Sequence, residues 1–277
     1  MREFPNILTI AGTDPGGGAG IQADLKTATV LKGFGLSVIT ALVAQNGAGV
    51  KGFQAVPPDF VLLQLEAVFE GFKVHAAKTG MLCNKPIMEA LAPVLAGRDF
   101  PLVVDPVCVS QSGHRLIEDD AIEVLRERIV PVADLITPNI PEAEALSGVK
   151  IDSEQSMEQA VGKLLKAGSK AVLLKGGHFR VGDPGSHGKT LTDFLFMGDG
   201  SRLDLEHERI DTNNNHGTGC TLSAAIATFL GKGYALEEAV RRGQRFLHAA
   251  LATSFHPGLI GAGPVNFVGG AEVEFGK

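Results

Sequence analysis

A polar run, Thr212-Asn213-Asn214-Asn215-His216, gives way to Gly217-Thr218-Gly219-Cys220-Thr221-Leu222-Ser223, and an apolar-periodic segment follows at once. This pattern is that of a loop turning into a helix. Its glycines let the backbone come close to a ligand, and the first amides of a helix have no partner within it. Such a terminus attracts anions, phosphate above all. Cys220 lies in the same turn, where the helix dipole is expected to stabilise a thiolate. It can be a nucleophile with His216 as base, as in thiol hydrolases. It can instead take the proton from an attacking hydroxyl beside phosphate-binding amides. The plainer alternative is a small apolar residue filling the first helical turn.

Other ionisable residues fall at the ends of apolar runs. Asp105 closes Leu102-Val103-Val104, and Asn139-x-x-Glu142 sits where a strand gives way to a helix. Two acids from such junctions suit Mg²⁺, which takes few protein ligands and keeps water and phosphate oxygens. For Glu142 the competing reading is a helix-capping carboxylate. Lys175 stands directly before Gly176-Gly177, where an ammonium can reach phosphate. These acids and Lys175 favour the proton-acceptor role for Cys220, since a thiol hydrolase has no need of them.

The glycine-rich stretch Asp14-Pro15-Gly16-Gly17-Gly18-Ala19-Gly20 follows a strand and opens a helix. A Rossmann reading also wants an acid at the end of the next strand, but that strand ends in Ala44-Gln45 and no P-loop motif occurs. Two readings remain: a tight turn that needs glycine, or a loop closing against a small ligand with Asp14 or Asp24 near it. His114, His178 and His216 have no metal-ligand spacing, which argues against zinc. Cys83 and Cys108 read as small buried hydrophobes.

The elements that must position these groups alternate. Strands are expected at residues 7–12, 36–44, 76–81, 102–105, 135–137 and 171–175. Helices are expected at 21–31, 58–72, 86–95, 119–129, 138–146 and 156–166, with another after Cys220 to about 230 and a long final one at 236–253. Residues 190–197 and 202–206, joined by Gly198-Asp199-Gly200, predict an antiparallel hairpin at a sheet edge. The alternation predicts an α/β fold, a mainly parallel sheet covered on both faces, as a single domain over residues 1–277. In such sheets ligands bind beyond the carboxyl ends of the strands. That rule brings Asp14, Gln45, Met81, Asp105, Asn139, Lys175 and the 217–220 turn to one edge.

A net charge of -6 without a Lys/Arg cluster argues against nucleic acid as a partner. The amino-terminal apolar run is too short for a signal peptide or membrane span. Three cysteines, an odd number, imply no disulfide framework. The expectation is a cytoplasmic protein acting on a small molecule.

Several of these segments resemble one family. Thr9-Ile-Ala-Gly-Thr-Asp-Pro-Gly-Gly-Gly-Ala-Gly-Ile-Gln-Ala-Asp-Leu-Lys26 is similar to the opening of bacterial hydroxymethylpyrimidine/phosphomethylpyrimidine kinases of thiamine biosynthesis. So are Ile39-Thr-Ala-Leu-Val-Ala-Gln-Asn46, Lys78-Thr-Gly-Met-Leu82, Ile136-Thr-Pro-Asn-Ile-Pro-Glu-Ala143, Leu174-Lys-Gly-Gly-His178 and His216-Gly-Thr-Gly-Cys-Thr-Leu-Ser223. The resemblance runs from about residue 7 to residue 265, with the motifs in order. It implies the ribokinase-like three-layer sandwich, a homodimer, and ATP-dependent phosphorylation of a hydroxymethyl group and then of the resulting monophosphate.

It also implies site residues. Gln45 binds the pyrimidine, since an amide donates to a ring nitrogen and accepts from the amino group beside it. Gly12, Asp24, Met81 and Val107 line the rest of that pocket. Asp105 and Glu142 act through Mg²⁺, Asn139, Lys175 and Thr212 lie on the ATP side, and Gly217, Thr218, Gly219 and Cys220 form the anion hole. Many ribokinase-like enzymes have an aspartate base at the end of that turn, where the hydroxymethylpyrimidine group has cysteine. One segment departs from the pattern. After Asp105-Pro106 the family commonly has Met, a small residue and Lys, and here the stretch is Val107-Cys108-Val109-Ser110-Gln111-Ser112-Gly113. That removes a charge from a loop expected to cover the site. A pyridoxal kinase of the same fold is the nearest alternative, and Gln45 is the feature that speaks against it. A non-catalytic vitamin-binding regulator is a third reading, for which a base in the anion turn has no use.

Overall fold

The computed structural model describes residues 4–108, 119–176, 190–258 and 260–276. His114, His178 and the 109–113 part of the departing loop lie outside them. Ten strands are described: β1 (Asn6–Ala11), β2 (Phe34–Ile39), β3 (Ala41–Asn46), β4 (Gly49–Ala55), β5 (Ala76–Thr79), β6 (Leu102–Val104), β7 (Leu135–Ile136), β8 (Ala171–Leu174), β9 (Thr190–Met197) and β10 (Arg202–Glu208). Eight of them form one sheet in the order β10-β9-β8-β7-β6-β5-β1-β2. The pairings from β8 through β2 are parallel, and β9 and β10 close the edge as the expected antiparallel hairpin.

The parallel strands are buried on both faces, which is why they read as unbroken apolar runs. Alternation sends Val104, Ile136 and Leu174 to one core cluster and Val103, Leu135 and Leu173 to the other. The first is covered by α2 (Pro58–Gly71), α3 (Lys85–Ala96), α5 (Ile140–Ser147) and α6 (Glu154–Lys166). The second is covered by α7 (Thr218–Gly231) and α8 (Leu236–Ala252), with Leu222, Ile226, Phe229 and Phe246 packed inward. Helix α1 (Gly20–Val30) lies on the α7 side. Caps fall where the sequence supplies them: Asn84 accepts from the Ile87 amide at 3.1 Å ahead of α3, and Ser153 from the Ser156 amide at 3.1 Å ahead of α6.

Three expectations are corrected. The run at 36–44 is two strands. At Thr40 the chain leaves the large sheet, its amide bonding Ala11 O (3.0 Å) and its carbonyl accepting from the Val56 amide (2.9 Å). Strand β3 then pairs antiparallel with β4 in a separate two-stranded sheet. The helix at 119–129 is α4 (Asp119–Val124) continued by a wider π turn, Leu125–Ile129. The helix at 236–252 is not the last, because α9 (Phe267–Phe275), capped by Asn266, packs on it. Among the described residues no helix is long and apolar enough to cross a membrane.

Candidate active site

The carboxyl ends of β1, β5, β6, β7 and β8 converge on the start of α7. Asp105, just past β6, is buried. Its Oδ1 accepts from Lys175 Nζ at 3.2 Å and from Thr137 Oγ1 at 3.3 Å, and its Oδ2 from Ser223 Oγ at 3.4 Å. Lys175, just past β8, is held by a parallel bridge to Asn139. Its ammonium also lies 3.9 Å from Glu142 Oε2. A methyl on Gly219 would lie 3.4 Å from Lys175 Nζ and 3.5 Å from Asp105 Oδ2. One small corner therefore holds two carboxylates, one ammonium and the first turn of α7.

Asn139 and Glu142 form a reciprocal capping box on α5: Asn139 Oδ1 accepts from the Glu142 amide (2.8 Å) and Glu142 Oε2 from the Asn139 amide (2.9 Å). The capping reading of Glu142 is thus correct, and it does not remove the carboxylate from the Lys175 corner. Burial, against the pull of Lys175, raises the Glu142 carboxyl to about 7. Burial would lower the Lys175 ammonium, but Asp105 and Glu142 outweigh it and hold the group above its ordinary range.

Gly217 caps α7 in the left-handed conformation, with φ 81°. A Cβ built there would lie 1.8 Å from Gly18 O. Gly217→Ala is therefore expected to lower Tm by several degrees and to cost turnover as well, since the change deforms the turn itself. Thermal denaturation and a turnover assay of the variant check this; an unchanged Tm would refute it.

Cys220 is half-buried in the first turn of α7. The expected low thiol pKa is overturned: burial raises it to about 11, against the Lys78 ammonium and the Gly20 amide, which favour the thiolate. The helix dipole is a partial charge, and desolvation of the thiolate exceeds it here. The pairing of Cys220 with His216 is also overturned, because His216 Nε2 lies 2.8 Å from Asp14 Oδ2.

The other half of the edge is less polar. A Cβ on Gly12 would touch Val43 Cγ2 at 3.4 Å and Met81 Sδ at 3.5 Å, so these residues share one wall. Gln45, beside a bulge in β3, donates from Nε2 to Thr13 O at 3.4 Å, and Val107 packs half-buried on the larger core cluster. Cys83 and Cys108 are buried, as expected. Asp24 is no open lining residue. It is buried with Lys78, whose Nζ lies 3.0 and 2.9 Å from its two oxygens, and Thr9 Oγ1 donates to it at 2.5 Å. The Thr212 hydroxyl is engaged by Ser254 Oγ (3.1 Å) and the Asn214 amide (3.1 Å), in the loop that leads to the α7 turn.

Sequence reasoning passed over Lys78, Ser223 and the Asp14–His216 contact. For Lys78 the signal was present: a lysine in the short strand Ala-Ala-Lys-Thr, every residue of which is buried. An acid at position 24, one turn from apolar neighbours, was its complement. Nothing local marks the other two, which depend on tertiary placement.

A family model described as Phosphomethylpyrimidine kinase matches residues 14–266. A Haemophilus influenzae hydroxymethylpyrimidine/phosphomethylpyrimidine kinase is 43% identical over 267 residues, covering 96% of this chain and 97% of that protein. The thiamine biosynthesis bifunctional protein ThiED of Geobacter sulfurreducens is 48% identical over 97% of the chain, and the chain spans 54% of its length. Among solved structures, Bacillus subtilis pyridoxal kinase in an ADP complex superposes with TM-score 0.84 at 33% identity, covering 96% of this chain and 98% of that one. A Clostridium difficile phosphomethylpyrimidine kinase superposes with TM-score 0.76 at 38% identity, covering 89% and 99%.

Proposed function

The chain belongs to the phosphomethylpyrimidine kinase family, and from that premise we propose that it is an ATP-dependent kinase of thiamine biosynthesis, acting as one domain over residues 1–277. Its substrates are 4-amino-5-hydroxymethyl-2-methylpyrimidine and then the monophosphate of that alcohol. The observation that carries this reading is the corner formed by Asp105, Glu142, Lys175 and the α7 turn, which offers one ammonium and the first amides of a helix to a phosphoryl group.

In the forward step the hydroxymethyl oxygen attacks the γ-phosphorus, the bond from that phosphorus to the β,γ-bridging oxygen breaks, and ADP leaves. Cys220 acts in its thiolate form: it takes the hydroxyl proton and becomes a neutral thiol. The amides of the turn at residues 217–220 and the Lys175 ammonium meet the charge that spreads over the transferred group. Asn139 and Thr212 stand on the ATP side. Gln45 reads the ring edge, with Gly12, Met81 and Val107 as apolar lining and the buried Asp24 behind them.

Asp105 and Glu142 fit a Mg²⁺ ion. Among the described residues there is no group of three or more His, Cys, Asp or Glu for an all-protein cage, and Mg²⁺ bound with phosphates uses only one or two carboxylates. Asp105 and Glu142 would hold the ion, which would supply positive charge to neutralise the phosphates. The protein acts in the cytoplasm as a homodimer.

A coupled ADP-release assay tests the proposal, with the aminopyrimidine alcohol, its monophosphate and pyridoxal as separate substrates. The expected order places the pyrimidine first in kcat/KM. The likeness to a pyridoxal kinase at TM-score 0.84 supports including the pyridoxal arm, and a higher kcat/KM for pyridoxal would overturn the choice of substrate.

A further inference from the structure

We propose that His216 and Asp14 form a positioning clamp that sets the geometry of the anion-binding turn, linking it to the glycine-rich loop on the substrate side. The inference rests on the reading that phosphoryl transfer takes place at the turn of residues 217–220.

Asp14 is fully buried, directly beyond β1. Its Oδ1 accepts from the Gly16 amide (2.9 Å), and its Oδ2 from the amides of Gly18 (3.0 Å) and Ala19 (2.7 Å). The same Oδ2 meets His216 Nε2 at 2.8 Å, across 202 positions of sequence. Burial would raise the Asp14 carboxyl, yet these partners, His216 foremost, hold it below its usual range. One carboxylate therefore gathers the whole glycine-rich loop and fastens it to a residue from the far end of the chain.

His216 is fixed from a second side. Its amide donates to Gly263 O at 3.1 Å, its backbone bridges to Pro264, and Asn214 Oδ1 accepts from the Gly263 amide at 3.1 Å. The imidazole also lies against Gly18, where a built Cβ would stand 2.7 Å from His216 Cδ2. The next residue is Gly217, whose left-handed backbone faces Gly18 O and starts α7. Fixing His216 at both ring and backbone leaves little freedom for the amides that follow it. Their direction is what counts in catalysis, since a misplacement of about 1 Å in an attacking geometry can cost about a hundredfold in rate.

A plain staple for the fold would be built from the same contacts, so the test needs a readout that a staple does not move. His216→Ala is expected to lower kcat at least tenfold while KM for the aminopyrimidine stays within about twofold. His216→Gln, whose side-chain amide reaches the Nε2 position, is expected to restore most of kcat, and added imidazole to restore part of it in His216→Gly. Asp14→Asn, which presents an amide NH₂ to backbone donors, should fall in kcat in the same manner. Loss of Tm with kcat unchanged in His216→Ala overturns the clamp, and so does a loss of kcat that neither Gln nor imidazole recovers. Should the alanine variant not fold, Gln and Asn at the two positions carry the same comparison. The two readings fail separately. An unaltered protein without turnover on any of the three substrates defeats the functional reading, whereas an active one indifferent to His216 defeats the clamp.

Discussion

Cys220→Ala is expected to fold, to keep its affinity for the aminopyrimidine, and to lose roughly a hundredfold or more in kcat, the range for removal of a positioned general base. The side chain is small and half-buried at the head of α7, so its truncation disturbs little packing. The thiol pKa of about 11 adds a signature in pH. At pH 7 the resting group is a thiol, and its ionised form, once reached, accepts a proton more strongly than an ordinary cysteine does. The competent fraction grows about tenfold per pH unit below 11. The kcat of the unaltered enzyme should therefore climb with pH from neutrality upward until another step limits it, and Cys220→Ala should lack that slope. Full turnover in the variant would exclude Cys220 as the base, and a pH slope that survives unchanged in Cys220→Ala would do the same.

Lys78→Met should destabilise the protein by about 3–5 kcal/mol in urea denaturation, the usual cost of removing one partner of a buried ion pair. Lys78 and Asp24 are 1% and 2% exposed, and the ammonium spans both carboxylate oxygens. Burial opposes the Lys78 charge, but Asp24, Cys220 and Asp105 around it keep the ammonium above its ordinary range. Without that cation Asp24 is a buried acid left with the Thr9 hydroxyl as its hydrogen-bond donor, its pKa raised already by burial in the intact protein. A raised folded-state pKa gives stability that is present below the unfolded value of about 3.9 and lost as pH rises. The deficit of the variant should accordingly shrink on acidification. Changing both partners, Lys78→Met with Asp24→Leu, should recover part of the loss, since apolar replacements of buried pairs are often tolerated. A single variant within about 1 kcal/mol of the parent would show that the pair is not structural.

Much of the site was legible because strand ends are. Asp105, Asn139, Lys175 and the 217–220 turn each follow an apolar run, and parallel packing brings such ends to one edge. What was not legible depended on contacts distant in sequence. Thr40 breaks no pattern, since threonine suits a strand. Only its bonds to Ala11 and Val56 show the chain passing between sheets. Helix α9 carries two adjacent glycines, poor helix formers. They are there because a Cβ on Gly270 would lie 2.8 Å from the Phe246 ring and one on Gly269 2.1 Å from Thr253 Oγ1. The Cys220 thiol departs from the expectation for a similar reason: the dipole follows from sequence position, whereas the depth of burial belongs to the assembled fold.

The departure of β3 and β4 from the main sheet bears on how enzymes of this kind diversify. Gln45 rides on that hairpin, while Asp105 and Lys175 lie just past strands of the main sheet and Cys220 sits on α7. The hairpin is moored at its tip, where the Ala262 amide donates to Gly47 O at 2.9 Å. On the proposed role of Gln45, changes in the hairpin alter which ring is accepted while Asp105, Lys175 and the α7 turn stay as they are. A change of ring preference under that reading involves the hairpin and the wall of Gly12 and Met81 facing it, and leaves the phosphate corner unaltered.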